Sequence, residues 1–155
     1  MNATQHFSVM QLVQRWQQRT RVALPVVDLL MRAYVAKIFF MSGLTKLGDW
    51  EMTVSLFTDE YQVPFFAPET AAYLATGAEL LLPVLLMLGL FRTFTAFALI
   101  AVNVLAVVSY YHVLHDMPAA LQDHLEWGLM LLVIASLPSN RLQLDHFLGR
   151  QQSAA

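Results

Sequence analysis

Long apolar segments dominate the pattern of the chain. Four of them cover residues 24–45, 71–91, 93–111 and 121–137. A bilayer core of about 30 Å needs roughly 20 helical residues, and only helices and closed barrels satisfy every backbone group in lipid. These segments are too long for barrel strands and lack their alternation. The pattern predicts an all-α, integral membrane four-helix bundle, with a water-soluble all-helical core as the alternative.

Apolar residues also recur at helical spacing in two shorter stretches, residues 7–16 and 50–61. The first predicts an N-terminal interfacial helix, with a frayed polar tail as the alternative. The second predicts a short helix in the first outer loop, since a structureless loop of this length is unusual. We therefore divide the chain into a cytoplasmic amphipathic segment (1–22), a four-helix domain (23–138) and a cytoplasmic tail (139–155).

Composition supports a membrane protein. Apolar residues make up 57% of the chain and charged residues 13%, about half the share usual in soluble domains. The net charge of −2 gives no indication of nucleic-acid binding. The absence of cysteine excludes disulfides, thiolate metal sites and dithiol redox chemistry.

The basic residues predict an orientation. In a four-span topology one side carries six arginines, namely Arg15, Arg19, Arg21, Arg92, Arg141 and Arg150. The other side carries only Lys46, among several acidic residues. Because lysine and arginine accumulate on the cytoplasmic side, both termini are expected in the cytoplasm. The first segment lacks the features of a cleaved signal peptide, so we expect it to remain as an anchor.

Each predicted span carries a polar group near one depth. At about 1.5 Å per residue, Lys37, Glu79, Asn103 and Glu126 all lie roughly 15–18 Å from the cytoplasmic end of their helix, and the long side chain of Arg32 reaches the same level. Such groups are costly in lipid, so they are expected to face the interior and to pair. The interpretation is a buried polar layer, either functional or serving only to hold the bundle together.

Glu79 is the expected centre of that layer, paired with Arg32 or Lys37. Pro83 blocks the backbone hydrogen bond to the Glu79 carbonyl, which predicts a kink beside the carboxylate. Asp28 precedes Arg32 by one turn and is an alternative, interfacial partner for it. Lys37 points about 140° away from Arg32 around the helix.

Histidines form a second polar group near the outer ends of helices three and four. His112, His115 and His124 are weak candidates for a transition-metal or haem site. They lack a tight ligand pattern, so we predict that they do not form an obligate metal site. His124 and Trp127 are expected to share a helix face.

Parts of the chain resemble a known family. The stretch "RAYVAKIFFMSGLTKL", the later "EYQVPFFAPETAAYLATGAELLLPVLLMLGLFRTFTAFAL" and "HLEWGLMLLVIAS" are together similar to the DoxX family of small bacterial membrane proteins. The residues that carry the resemblance are Arg32, Gly43, Lys46, Pro64, Glu79 and Arg92. The similarity covers roughly residues 32–145. The end of the fourth segment, "LPSN", departs from the family's Gly-rich pattern.

The resemblance implies a multi-pass protein of the bacterial inner membrane, linked to redox or oxidative-stress systems. One hypothesis is a quinone-interacting subunit or accessory protein of a membrane oxidoreductase, in which Lys37 or Arg32 stabilises a reduced oxygen and Glu79 or Glu126 relays protons. The alternative is a non-enzymatic anchor or partner in a copper-handling or oxidative-stress complex. Whether the chain is itself an enzyme stays open. Quinone is the cofactor considered, and the expected partners are lipid, a redox protein and a second copy of the chain.

Overall fold

The computed structural model describes residues 9–145, without the side chains of residues 9, 10, 17 and 19–21. Over these residues the fold is all-helical, as predicted. The elements are α1 (Val9–Gly48), α2 (Trp50–Asp59), α3 (Pro68–Leu88), α4 (Arg92–Ser109), α5 (Tyr111–Leu114) and α6 (Pro118–Ser136). The helix α2 confirms the short helix predicted in the first loop.

The first helix differs from the prediction. We expected a separate interfacial helix followed by a span, but α1 is one helix of 40 residues that contains Pro25. Its early part is exposed from Gln11 to Trp16. Phe7, where the predicted amphipathic stretch begins, lies outside the described residues, as does the end of the predicted tail, residues 146–155.

Prolines and glycines explain the ends of the next helices. Pro68 and Pro118 occupy the first turns of α3 and α6, where a missing backbone N–H costs nothing. Both helices therefore begin three residues before their predicted starts. Gly89 ends α3 in the left-handed conformation with φ of 68°, and Leu90 N donates to Leu85 O at 3.0 Å. Gly89 therefore forms a left-handed C-cap, a common way for a helix to end.

Helices α1, α3, α4 and α6 form the bundle. Its core is a cluster of buried apolar side chains: Val35, Phe39, Leu86, Ala96, Leu99, Leu131 and Ile134. A second cluster, centred on Phe57, Ala71 and Ala72, packs α2 onto the first half of α3. The bundle thus has an α2 end, which carries α2 and α5, and a tail end, which carries residues 139–145.

Candidate functional site

The bundle holds an ion pair between α1 and α3. Lys46 Nζ lies 2.6 Å from Glu79 Oε2 and also donates to Ser42 Oγ at 2.9 Å. The side chains of Lys46 and Glu79 are only 18% and 9% exposed. Ser42 and Lys46 are one turn apart and therefore share the face of α1 that meets α3.

Gly43 sets the separation of these two helices. A Cβ at this position would lie 2.9 Å from Leu80 Cδ2 and 3.2 Å from the Cβ of Glu79. The absence of a side chain lets α3 approach closely, and this approach brings the carboxylate within reach of Lys46. Two residues of the family resemblance, Gly43 and Lys46, thus position a third, Glu79.

Helix α2 and the following loop cover the ion pair at the α2 end. Thr53 Oγ1 donates to Lys46 O at 2.9 Å. The ring of Tyr61 packs edge-on against Phe57 and against Tyr110, each with centroids 4.9 Å apart. Burial raises the pKa of the Tyr61 hydroxyl above its ordinary value, and neighbouring acidic groups, Tyr110 and Glu79 foremost, raise it further. Tyr61 is therefore a neutral phenol at physiological pH.

One further polar group lies on the same helix. Thr76 is one turn before Glu79 on α3; its hydroxyl is buried and has no hydrogen-bond partner. A buried polar atom without a partner is unusual in native proteins. The candidate site, which we define as Ser42, Lys46, Thr76 and Glu79, therefore combines a cation, a carboxylate and a free hydroxyl among apolar side chains.

A second polar network lies at the tail end, around Arg32. The guanidinium is fully buried and donates to Asp28 Oδ2 at 3.0 Å. It also donates to the carbonyls of Leu86 and Met87 at 3.3 and 2.9 Å and to Leu142 O at 2.8 Å. The first two carbonyls belong to the last turn of α3, where a cation is favoured by the helix dipole. Arg32 thus joins α1, α3 and the tail.

The tail returns to the same network. Asp28 Oδ2 accepts further hydrogen bonds from Asn140 Nδ2 and Gln143 Nε2, at 2.9 and 3.0 Å. The carboxylate of Asp145 accepts from the backbone N–H groups of Phe91 and Arg92 at 2.9 and 3.0 Å, and so caps the start of α4.

Arg92 binds backbone carbonyls at the C-terminal end of α6. Its guanidinium donates to Ile134 O at 2.7 Å and to Leu137 O, at the end of α6. A groove of about 460 Å³ lies beside this network. Its lining residues are Leu24, Pro25, Leu137, Pro138, Ser139 and Asn140. The donors of Arg32 and Arg92 are engaged by the fold, whereas Asp28 Oδ1 is buried without a hydrogen-bond partner.

The predicted polar layer is partly wrong. Arg32, Glu79 and Asn103 are buried as expected, but Lys37 and Glu126 are exposed. Depth along a helix does not define the direction of a side chain, and both residues lie on the side of their helix away from the core.

The expected pairing of Glu79 with Arg32 or Lys37 is also wrong. Lys46 is the partner of Glu79, and Arg32 binds Asp28 instead.

Asn103 pairs with a histidine rather than with the acids. Its Nδ2 donates to His124 O at 2.8 Å, and its Oδ1 lies 2.8 Å from His124 Nδ1. The two contacts join α4 to α6. The ring of His124 also packs on Trp127 at 4.9 Å, which confirms that these residues share a face.

The remaining histidines lie elsewhere. His112 and His115 are exposed at the α2 end, and His115 Nε2 lies 3.2 Å from Asp116 Oδ1. Within residues 9–145, no three histidine or acidic side chains come close enough together to hold a metal ion. The proposal that these histidines form no obligate metal site remains a prediction.

Sequence reasoning placed Lys46 in the outer loop and missed Thr76. For Lys46 a signal existed, since Arg32, Phe39, Ser42 and Lys46 follow one seam of the first helix at near-helical spacing. For Thr76 there was no signal, because threonine is common in apolar helices. Whether its hydroxyl finds a hydrogen-bond partner depends on the side chains that surround it in the fold.

Two described helices, Pro68–Leu88 and Arg92–Ser109, are long and apolar enough to cross a membrane. The DoxX family model matches residues 27–112, more than half of the chain, and the chain therefore belongs to the DoxX family. No curated protein and no solved structure matches it significantly.

Proposed function

We propose that the chain crosses the bacterial inner membrane four times, through α1, α3, α4 and α6, with both termini in the cytoplasm. Each of these helices presents large apolar side chains outward, for example Leu30 (63% exposed), Leu81 (61%), Phe94 (70%) and Leu125 (57%). Apolar surface on this scale favours a lipid surrounding over water.

Length is consistent with the two additional spans. Helix α1 is about 60 Å long, twice the bilayer core, and α6 is about 28 Å long. Lys46 and Arg92 are both drawn into the bundle, the first by Glu79 and the second by the end of α6. Each end therefore loses one of the basic residues assigned to it from sequence, and the excess of arginine that supports cytoplasmic termini is unchanged.

Within this topology we assign the chain as a quinone-interacting subunit or accessory protein of a membrane redox system. The observation that carries the assignment is the Lys46–Glu79 pair beside the unpartnered hydroxyl of Thr76. A site of this kind offers a hydrogen-bond donor and a positive charge to a quinone oxygen.

The roles of the residues follow from their contacts. Reduction of a quinone to a quinol takes two electrons and two protons, and the electrons come from a partner redox protein. The ammonium of Lys46 would stabilise the negative oxygen that develops on reduction. Glu79, an ion-paired carboxylate at rest, would relay the two protons in turn, taking up each one from water before delivering it to the quinone. Arg32, considered for this role from sequence, has its donors committed to Asp28 and three backbone carbonyls.

The test is purification in mild detergent followed by lipid extraction, quinone quantification, an absorption spectrum and metal analysis. We expect quinone to copurify with the wild-type chain and to be lost from Lys46→Met. Copurification of a partner protein without quinone, or of stoichiometric copper, would instead indicate the non-enzymatic accessory role. Reporter fusions decide the topology separately from this result.

A further inference from the structure

Two charged side chains face away from the bundle within the proposed spans. Lys37 is exposed on α1 and Glu126 is exposed on α6. Lys37 lies about 17 Å from the end of α1, and Glu126 lies about 12 Å from the start of α6. Neither forms an ion pair within the described part of the chain, although Gln122 Nε2 donates to Glu126 Oε1 at 2.9 Å.

Such an arrangement is unfavourable against lipid. A charged residue near the middle of a spanning helix costs about 3 kcal/mol or more on insertion scales, and such residues normally face protein or water. Two exposed charges of opposite sign within the proposed spans therefore favour a protein partner that supplies complementary charges at these two positions.

The two charges lie at nearly the same depth. Phe39 of α1 packs against Trp127 of α6, with ring centroids 6.3 Å apart, and this contact sets the register of two antiparallel helices. Lys37 is two residues before Phe39, and Glu126 is one residue before Trp127. Their Cα atoms consequently differ in depth by about 5 Å, which the flexible lysine side chain can span.

Lys37 lies in the middle of an exposed apolar stripe, and Glu126 lies at the start of one. On α1 the exposed residues Leu30, Lys37 and Leu44 recur every seven positions, with Met41 beside them. On α6 exposed Leu129 and Val133 follow Glu126 at helical spacing. Both stripes have the spacing that helices use to pack side by side.

We propose that this chain forms a two-fold symmetric dimer through the edge made by α1 and α6, with Lys37 of each copy paired to Glu126 of the other. The proposal rests on the four-span topology. A two-fold axis along the membrane normal preserves depth and sets α1 of one copy against α6 of the other, because a symmetric interface exchanges the two contacting elements.

A second copy is the occupant that the charges favour. Each copy supplies one cation and one anion at one depth, so two copies neutralise both pairs with no charge left over. A lipid headgroup cannot take this place at mid-depth, and a different protein would need its own matching pair at the same separation.

The dimer is tested by charge exchange in the full-length protein, reconstituted in lipid nanodiscs or mild detergent. Lys37→Glu and Glu126→Lys each place like charges together, so each single variant should dimerise at least about tenfold more weakly, a change equivalent to about 1.4 kcal/mol. The double variant restores opposite charges and should recover dimerisation to within about threefold of wild type. Asp59→Lys, an exposed change outside the proposed spans, is the control and should leave dimerisation unchanged.

Crosslinking supplies a second, geometric readout. The natural chain has no cysteine, so differently tagged Lys37→Cys and Glu126→Cys chains can be mixed and treated with a short bis-maleimide. A crosslink between the two tags is expected. A monomeric wild-type protein, a dimer insensitive to both single reversals, or a double variant that fails to recover would each overturn the proposal. Reporter fusions test the topology separately. If they contradict the four-span topology while the double variant still recovers dimerisation, the topology is wrong but the contact between Lys37 and Glu126 is supported.

Discussion

Removing Glu79 should destabilise the protein more than removing Lys46. Glu79→Met leaves the ammonium of Lys46 largely buried, with only the hydroxyl of Ser42 as a partner. Loss of one member of a wholly buried pair costs about 3–5 kcal/mol. Because Lys46 keeps some exposure and one hydrogen bond, we expect about 2–3 kcal/mol here. For a chain of this size that corresponds to a fall of about 4–12 °C in the midpoint of unfolding.

Lys46→Met should cost less, about 1–2 kcal/mol, because an isolated buried carboxylate can take up a proton and become neutral. The double variant, with two apolar side chains of matching length, should lie within about 1 kcal/mol of the wild type. The two changes are thus coupled by about 2 kcal/mol or more.

The assay is thermal unfolding of the four proteins in one detergent, which gives the coupling free energy from a double-mutant cycle. Glu69→Met is the matched control, since Glu69 lies exposed in the first turn of the same helix and its loss should cost under about 1 kcal/mol. Additive losses for Lys46 and Glu79 would refute the ion pair. If Glu69→Met destabilised the protein as much as Glu79→Met, the loss of stability in Glu79→Met could not be attributed to the burial of the ion pair.

Three further outcomes follow from the structure. Replacing Arg32 by Met should cost about 3 kcal/mol or more, and Lys should rescue little because it cannot reproduce the planar fork of donors; thermal unfolding of both variants checks this. Gly43→Ala should lose about 1–3 kcal/mol through contact with α3, whereas Gly77→Ala, with open space around its Cα, should be neutral or gain up to about 1 kcal/mol. Reporter fusions after Asp59 and after Arg150 should mark opposite sides of the membrane, and the same side for both would refute the four-span topology.

Periodicity and segment length predicted most of the fold. The helices that form the bundle and the short helix α2 followed from apolar spacing, and the buried positions of Arg32 and Asn103 followed from the cost of polar groups in lipid. Three helix ends shifted by three residues because Pro68, Pro118 and Gly89 set them. The sequence did not predict that α1 continues through Pro25. The change from a mixed to an apolar sequence near this residue indicates a helix boundary, but a helix can continue from a polar into an apolar environment.

The candidate site was predicted in part. Glu79 was identified from its isolation in an apolar helix, but its partner depended on a helix separation that Gly43 permits. Lys37 and Glu126 were placed on the wrong side of their helices, because position along a helix is a function of residue number whereas the direction of a side chain depends on which face packs. The caps supplied by Asp145 and Arg92 join segments far apart in sequence, and no local pattern indicates them.

Quinone binding at the Lys46–Glu79 pair is the central claim, and a titration tests it most directly. The wild-type chain and the Lys46→Met/Glu79→Met double variant are reconstituted in quinone-free nanodiscs and titrated with a short-chain quinone. We predict saturable binding to the wild type and at least about tenfold weaker binding to the double variant, which retains its fold. Absence of saturable binding to the wild type, or equal affinity in both proteins, would contradict the account.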